Sequence, residues 1–143
     1  MFNKHQGPEE RLSAWRSVRQ GSHDTVEQVL EEFAPIKIVP RYIDYFTPRD
    51  WPNVFDIVKE GYFCQSGVTL IMTATLVHKG FISSDNLDFA VISNHINGND
   101  GLVLIHQNNA YNFLPGKIIT LEEVKENSTQ FGSHTIAVKR LFS

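Results

Sequence analysis

The chain holds one cysteine, Cys64, and six histidines. Cys64 stands in Gly61-Tyr62-Phe63-Cys64-Gln65-Ser66-Gly67, directly ahead of the apolar segment from Val68 to His78. A thiol at the mouth of a helix meets unpaired backbone N–H groups and the positive end of the helix dipole, the setting that favours a thiolate nucleophile. The same residue type in the same place also serves as a small buried hydrophobe. A nucleophile needs a base, and the histidines sort by position. His5 and His23 lie in polar, early segments. His78 is fourteen residues past Cys64 on the same segment, which at ~1.5 Å of rise per residue puts it about 20 Å away. Three remain.

His95 ends an alternating stretch and enters the loop Asn94-His95-Ile96-Asn97-Gly98-Asn99-Asp100-Gly101, so it is the first candidate for a general base. His134, after Phe131-Gly132-Ser133, opens the last expected strand and ranks second. His106 shares a strand face with Leu102 and Leu104 by period-two alternation, the pattern of a structural residue. A third group should orient the imidazole through a side-chain oxygen. Asn112, in Tyr111-Asn112-Phe113-Leu114-Pro115, lies seventeen residues after His95 across a hairpin and fits that part; ordinary alternation would instead turn it to solvent. Gln65 or the Cys64 N–H would hold an oxyanion. His95, Asp100 and His106 form only a loose metal-ligand set, and no His-x-x-x-His or Cys-x-x-Cys spacing occurs. No cofactor is expected.

These residues need elements to position them. Glu9 to Gln20 carries Leu12, Trp15 and Val18 on a helical stripe that stops at Gly21. Ser22 is placed to cap a second helix with Val26, Val29, Leu30 and Phe33 on one face, ended by Pro35. Ile36 to Val39 has the composition of a short strand. Thr47-Pro48-Arg49-Asp50 has a cap residue and a first-turn proline, but Trp51 precedes Pro52, so the segment to Gly61 is expected to be broken. From Ser66 to Lys79 the apolar residues cover most of the helix circumference, which marks a central buried helix. The remainder has period two: Leu87 to Ile92, Gly101 to His106, Tyr111 to Leu114, Lys117 to Thr120 and Thr135 to Phe142. Gln107-Asn108-Asn109-Ala110 and Pro115-Gly116 supply turns, and Thr120-Leu121-Glu122-Glu123 starts one short helix. The expected fold class is α+β, with N-terminal helices and a central buried helix packed on a mostly antiparallel sheet of four to five strands.

With 143 residues, 41% of them hydrophobic and 20% charged, the chain matches a single domain, residues 1–143, able to bury a core unaided. A net charge of −3 with scattered basic residues leaves no nucleic-acid footprint. Arg11, Arg16 and Arg19 make at most a small patch on the first helix. No segment has the ~18 uninterrupted apolar residues of a membrane span. The lone cysteine and the start Met1-Phe2-Asn3-Lys4 point to a reducing, cytoplasmic setting.

The order of a cysteine opening a core helix, a helix end at Leu76-Val77-His78-Lys79-Gly80-Phe81, and then strands carrying His95 and Tyr111-Asn112 resembles the transglutaminase-like and papain-like cysteine enzymes, including the arylamine N-acetyltransferases. The resemblance spans about Asp56 to Pro115. It implies Cys64 as nucleophile, His95 as base and Asn112 as the orienting residue of a cysteine hydrolase or acyl/amide transferase. The substrate would be a peptide, amide or thioester. In that group the histidine begins a strand directly, whereas here the strand begins at Gly101. The alternative is therefore a non-enzymatic protein-binding or inhibitory module on a degenerate version of the fold, of a size that suits a phage or mobile-element accessory protein. Its contact residues would come from Arg41-Tyr42-Ile43-Asp44-Tyr45-Phe46 and Trp51, since Tyr, Trp and Arg dominate interface energetics.

Overall fold

A computed structural model describes residues 1–143. Helix α1, Pro8–Gln20, begins on a proline with Glu9 and Glu10 in its first turn, and the Gly7 N–H donates to the Glu10 carboxylate at 3.2 Å. Helix α2, Val26–Phe33, is capped by Thr25 rather than Ser22. The Thr25 hydroxyl accepts the Gln28 N–H at 3.2 Å, and the Gln28 side chain returns to the Thr25 N–H at 3.3 Å. That reciprocal pair favours the later start. The expected strand at Ile36 to Val39 joins no sheet: it is extended chain tied by Val39 N–H to the Phe63 carbonyl at 2.9 Å. Pro40 supplies no donor to continue a ladder.

Pro48–Asp50 forms a 3-10 turn, and Trp51 leaves it in extended conformation ahead of Pro52. Helix α3, Val54–Glu60, then starts on Asn53, whose side chain accepts the Asp56 N–H at 2.9 Å. Gly61, at φ 75°, ends it. The Arg11 guanidinium fills the space a side chain would take there, donating to the Val58 carbonyl at 2.8 Å and also to that of Lys59. Thus α1 supplies the C-terminal cap of α3.

Helix α4, Gln65–His78, has Cys64 as its N-cap and is buried from Ser66 through Leu76. It is not long or apolar enough to cross a membrane, and neither is any other helix. The sheet is five-stranded and antiparallel throughout, in the order β4-β3-β2-β1-β5, with β1 Asn86–Asn94, β2 Asp100–His106, β3 Asn109–Tyr111, β4 Ile118–Thr120 and β5 Ser128–Ala137. Helix α5, Leu121–Glu126, is capped by Thr120 as its sequence implies. The architecture is α+β. Leu87, Phe89, Val91, Leu102, Leu104 and Tyr111 face the four larger helices, while Ala90, Ile92, Val103, Ala110 and Phe113 form a smaller core with Val124 of α5. Period two along the strands serves both cores.

Three strand boundaries differ from expectation. β3 stops at Tyr111 because Asn112 takes φ 71° and turns the chain. The β2–β3 turn consists of Gln107 and Asn108 alone, both with positive φ, the twist-matched geometry for a two-residue hairpin. β5 starts seven residues before Thr135, so His134 lies inside it rather than at its opening, and Val138–Leu141 is a 3-10 turn that buries Leu141.

Polar side chains fasten α4 to its neighbours. The Trp15 indole donates to the Thr75 hydroxyl at 2.9 Å. The Thr69 hydroxyl, fully buried, donates to the Leu102 carbonyl at 2.7 Å and accepts from the Asn112 side-chain amide at 2.8 Å. Thr73 bonds only back to the Thr69 carbonyl in its own helix. Because a buried polar group left without a partner costs ~1–3 kcal/mol, Thr69→Val should lower unfolding free energy by about 2 kcal/mol or more. Thr73→Val, which strands no partner, should cost under about 1 kcal/mol. Urea denaturation of the two variants checks the difference.

Candidate functional site

The first turn of α4 forms the floor of a cleft of about 310 Å³, with Cys64, Gln65 and Ser66 at its base. One wall is the extended segment with Ile38, Arg41 and Tyr45; the other is the β1–β2 turn with Asn99 and Asp100. Cys64 is 2% exposed. Its sulfur accepts the Gly67 N–H at 3.5 Å, so the thiol works as the cap of α4. The Ser66 hydroxyl accepts the Leu102 N–H at 3.2 Å, and the Gln65 side chain donates to the Asn112 carbonyl at 2.7 Å. The floor is therefore bonded to both β2 and the end of β3.

Asp44 builds the first wall. Its carboxylate accepts the Phe46 N–H at 3.0 Å, the Thr47 hydroxyl at 3.2 Å and Arg41 at 3.2 Å. These bonds hold its carboxyl below the usual range, the Phe46 N–H contributing most. Since the folded value is depressed, the stabilisation is present at neutral pH and lost only as pH falls through that lowered value. The Arg41 guanidinium lies 4.4 Å above the Tyr45 ring. Tyr42 and Tyr62 sit with ring centres 5.5 Å apart, and the Tyr42 hydroxyl donates to Glu60 at 2.7 Å, which raises the phenol above its usual value. Of the aromatics in this segment, Tyr45 and Trp51 are buried; Tyr42 and Phe46 face solvent, as does Tyr62 beside them.

The structure brings Cys64 and Asn112 to the same end of α4, linked through Gln65 and Thr69. Asn112 is 5% exposed, with its side-chain amide spent on Thr69. The histidines go elsewhere. His95 is exposed in the β1–β2 turn, its ring nitrogen 2.8 Å from the Thr129 hydroxyl of β5 and its N–H bonded to Asn127. In the strand order β5 lies on the far side of β1 from β2, the strand that α4 packs on. His134 donates to the Tyr45 carbonyl at 2.8 Å and meets the Trp51 ring edge-on. His106 meets Tyr111 edge-on. No imidazole lines the Cys64 cleft.

Gly101 explains much of this geometry. A Cβ at that position would come within 2.6 Å of the Gln65 Cγ and 3.1 Å of the Ser66 hydroxyl. Strand β2 thus runs against α4 where a side chain would otherwise stand. Sequence reasoning missed Asn99 and Asp100 as a cleft wall, because a polar glycine-rich turn carries no sign of what it faces. It also missed the close approach at Gly101, which a strand-initial glycine does hint at.

The layout is an α+β fold with a cysteine at the N-terminus of a buried helix, packed on an antiparallel sheet whose second and third strands meet that helix end. Three solved structures of LapG from Legionella pneumophila are similar to it. The calcium-bound form is 17% identical with a TM-score of 0.66, covering 94% of this chain and 82% of that one. The EGTA-treated form is 18% identical with a TM-score of 0.65, covering 91% and 75%. A further LapG structure gives 17% and 0.66, covering 94% and 80%. No protein-family model and no curated protein matches the chain. The likeness is one of fold.

No group of three or more His, Cys, Asp or Glu side chains is placed to hold a metal ion, and the loose set of His95, Asp100 and His106 is not assembled. At Gly101 the contact distances make an expectation. Gly101→Ala should destabilise the fold by about 1–3 kcal/mol, and adding Gln65→Ala should recover part of the loss, both measured by chemical denaturation.

Proposed function

We propose that this protein is a polypeptide-binding module on the transglutaminase-like cysteine-enzyme fold, with a cleft that holds an extended chain without cutting it. The observation that carries the reading is the composition of the cleft: a buried thiol and no imidazole. Nucleophilic cysteine chemistry needs a base within hydrogen-bond reach, about 3 Å, to take the thiol proton and return it to the leaving group. His95, assigned that part by the family resemblance, has its ring on Thr129, and Asn112 has its amide on Thr69. The solved LapG structures share this fold at 17–18% identity. A relative that kept the cleft and lost the base would keep polypeptide recognition.

Recognition has named groups available. Tyr42, Phe46 and Tyr62 are 53%, 49% and 58% exposed, a cluster of large aromatics on one rim. Arg41 reaches from that rim into the cleft wall. Aromatic and arginine side chains in this mixture are typical interface anchors. Gln65, Asn99 and Asp100 line the same space, and these residue types carry donors and acceptors that a peptide backbone uses.

An array of overlapping peptides, read for binding and by mass spectrometry for cleavage, tests this together with iodoacetamide kinetics. A subset should bind, Arg41→Glu and Tyr62→Ala should each weaken that binding at least ~tenfold, and no peptide should be cut. Cys64 should label more slowly than free cysteine, with no change in His95→Ala. Cys64-dependent cleavage, or fast labelling that needs His95, would instead establish the hydrolase reading with Cys64, His95 and Asn112 in the roles the resemblance implies.

A further inference from the structure

The lining of the Cys64 cleft includes two charged residues, Arg41 on the extended wall and Asp100 on the β1–β2 wall. They differ in what already meets them. Arg41 lies 3.2 Å from the Asp44 carboxylate and 4.4 Å above the Tyr45 ring, so its charge is answered within its own wall. Asp100 takes part in none of the chain's three ion pairs. The side-chain hydrogen bonds around its turn fall on Asn94, Asn97 and Ser66, and none falls on the Asp100 carboxylate.

Strand register sets where that carboxylate stands. Asp100 opens β2 and pairs with Ser93, so by period-two alternation it shares a sheet face with Leu102 and Leu104. Those two leucines belong to the core that contains α4, and the Leu102 carbonyl is bonded to Thr69 of that helix. Asp100 is therefore on the α4 side of the sheet. The backbone on each side of it is held: the Asn99 carbonyl accepts the Asn94 N–H at 2.9 Å, and the Leu102 N–H donates to the Ser66 hydroxyl at 3.2 Å. A group on a fixed backbone needs little ordering when a partner arrives.

We infer that the cleft selects a segment bearing a lysine or arginine, received by the Asp100 carboxylate, an inference that rests on the polypeptide-binding reading above and names which polypeptides it concerns. Hydrogen bonds from an ammonium or guanidinium to a carboxylate are charge-assisted and about twice as strong as neutral ones. An acidic side chain in the same place sets like charges together and is rejected. On the opposite wall Arg41 repels a basic side chain, so the segment lies with that side chain toward β2. The net charge of −3 adds a long-range attraction for a basic segment. Asp100 thus acts as a specificity residue.

A positional-scanning library of peptides blocked at both ends, with Lys, Arg, Gln or Glu at each position, tests this by fluorescence anisotropy. At one position Lys and Arg should bind at least ~tenfold tighter than Gln, with Glu weaker still. Asp100→Asn should abolish the difference, Asp100→Glu should keep it, and Asp100→Lys should turn it in favour of Glu. Added salt should weaken the Lys peptides on the wild type far more than on Asp100→Asn. Circular dichroism checks that each variant folds, and the peptide substitutions read on the wild type need no variant. Binding with no preference for Lys or Arg, or a preference that survives in Asp100→Asn, overturns the inference and leaves the polypeptide-binding reading standing. Binding by no peptide at all overturns that reading, and this inference with it.

Discussion

Everything at the working end of this molecule hangs on the hydroxyl of Thr69. It sits in the first turns of α4, fully buried, giving its proton to the Leu102 carbonyl of β2 and taking one from the Asn112 amide just past β3. Ser66 and Gln65 add a bond to each of the same two neighbours. A helix packed on a sheet by apolar contacts alone can slide, because dispersion and burial are non-directional. Buried hydrogen bonds do not permit that, since a shift of an ångström would leave donors and acceptors dry and unpaired. The height and rotation of α4, and with them the position of Cys64, follow from these few bonds.

Close fastening has a chemical consequence. To bring Ser66 within hydrogen-bond distance of the Leu102 N–H, β2 must approach α4 so nearly that position 101 admits no Cβ. At the same helix end Cys64 is a 2% exposed cap accepting the Gly67 N–H. Free cysteine is among the most buried residue types, and here its helix-capping role is sufficient to account for its place.

What could be read from the residues divides along a physical line. Helices α1, α2 and α4, the broken stretch around Trp51 and most of the strands follow from local periodicity, caps and prolines, which act within a few residues. So does the α5 start at Thr120. Side-chain partners act over long sequence separation, and these were not legible. That the imidazole of His95 would turn to Thr129 rather than to Cys64 depends on β5 pairing beside β1 instead of beside β4, a choice of sheet order that no local pattern encodes. Asn112 illustrates the same limit from the other side: its alternation suggested a strand position, but a left-handed backbone and a buried amide bond took it out of the strand. Ile36 to Val39 had strand composition without a strand neighbour, and a lone extended segment has nothing to pair with.

The two exposed apolar regions fall at places with different chemistry. The rim with Tyr42, Phe46 and Tyr62 is aromatic, carries Arg41 and Asp44, and borders a concave space lined with amides and a carboxylate. Such a surface can discriminate among partners, because each polar group rejects a chain that cannot satisfy it. The β5 edge has the reverse character: backbone donors and acceptors in a row, no charge, and one exposed phenylalanine beside a neighbouring isoleucine. The two surfaces thus lie on separate parts of one sheet-and-helix frame.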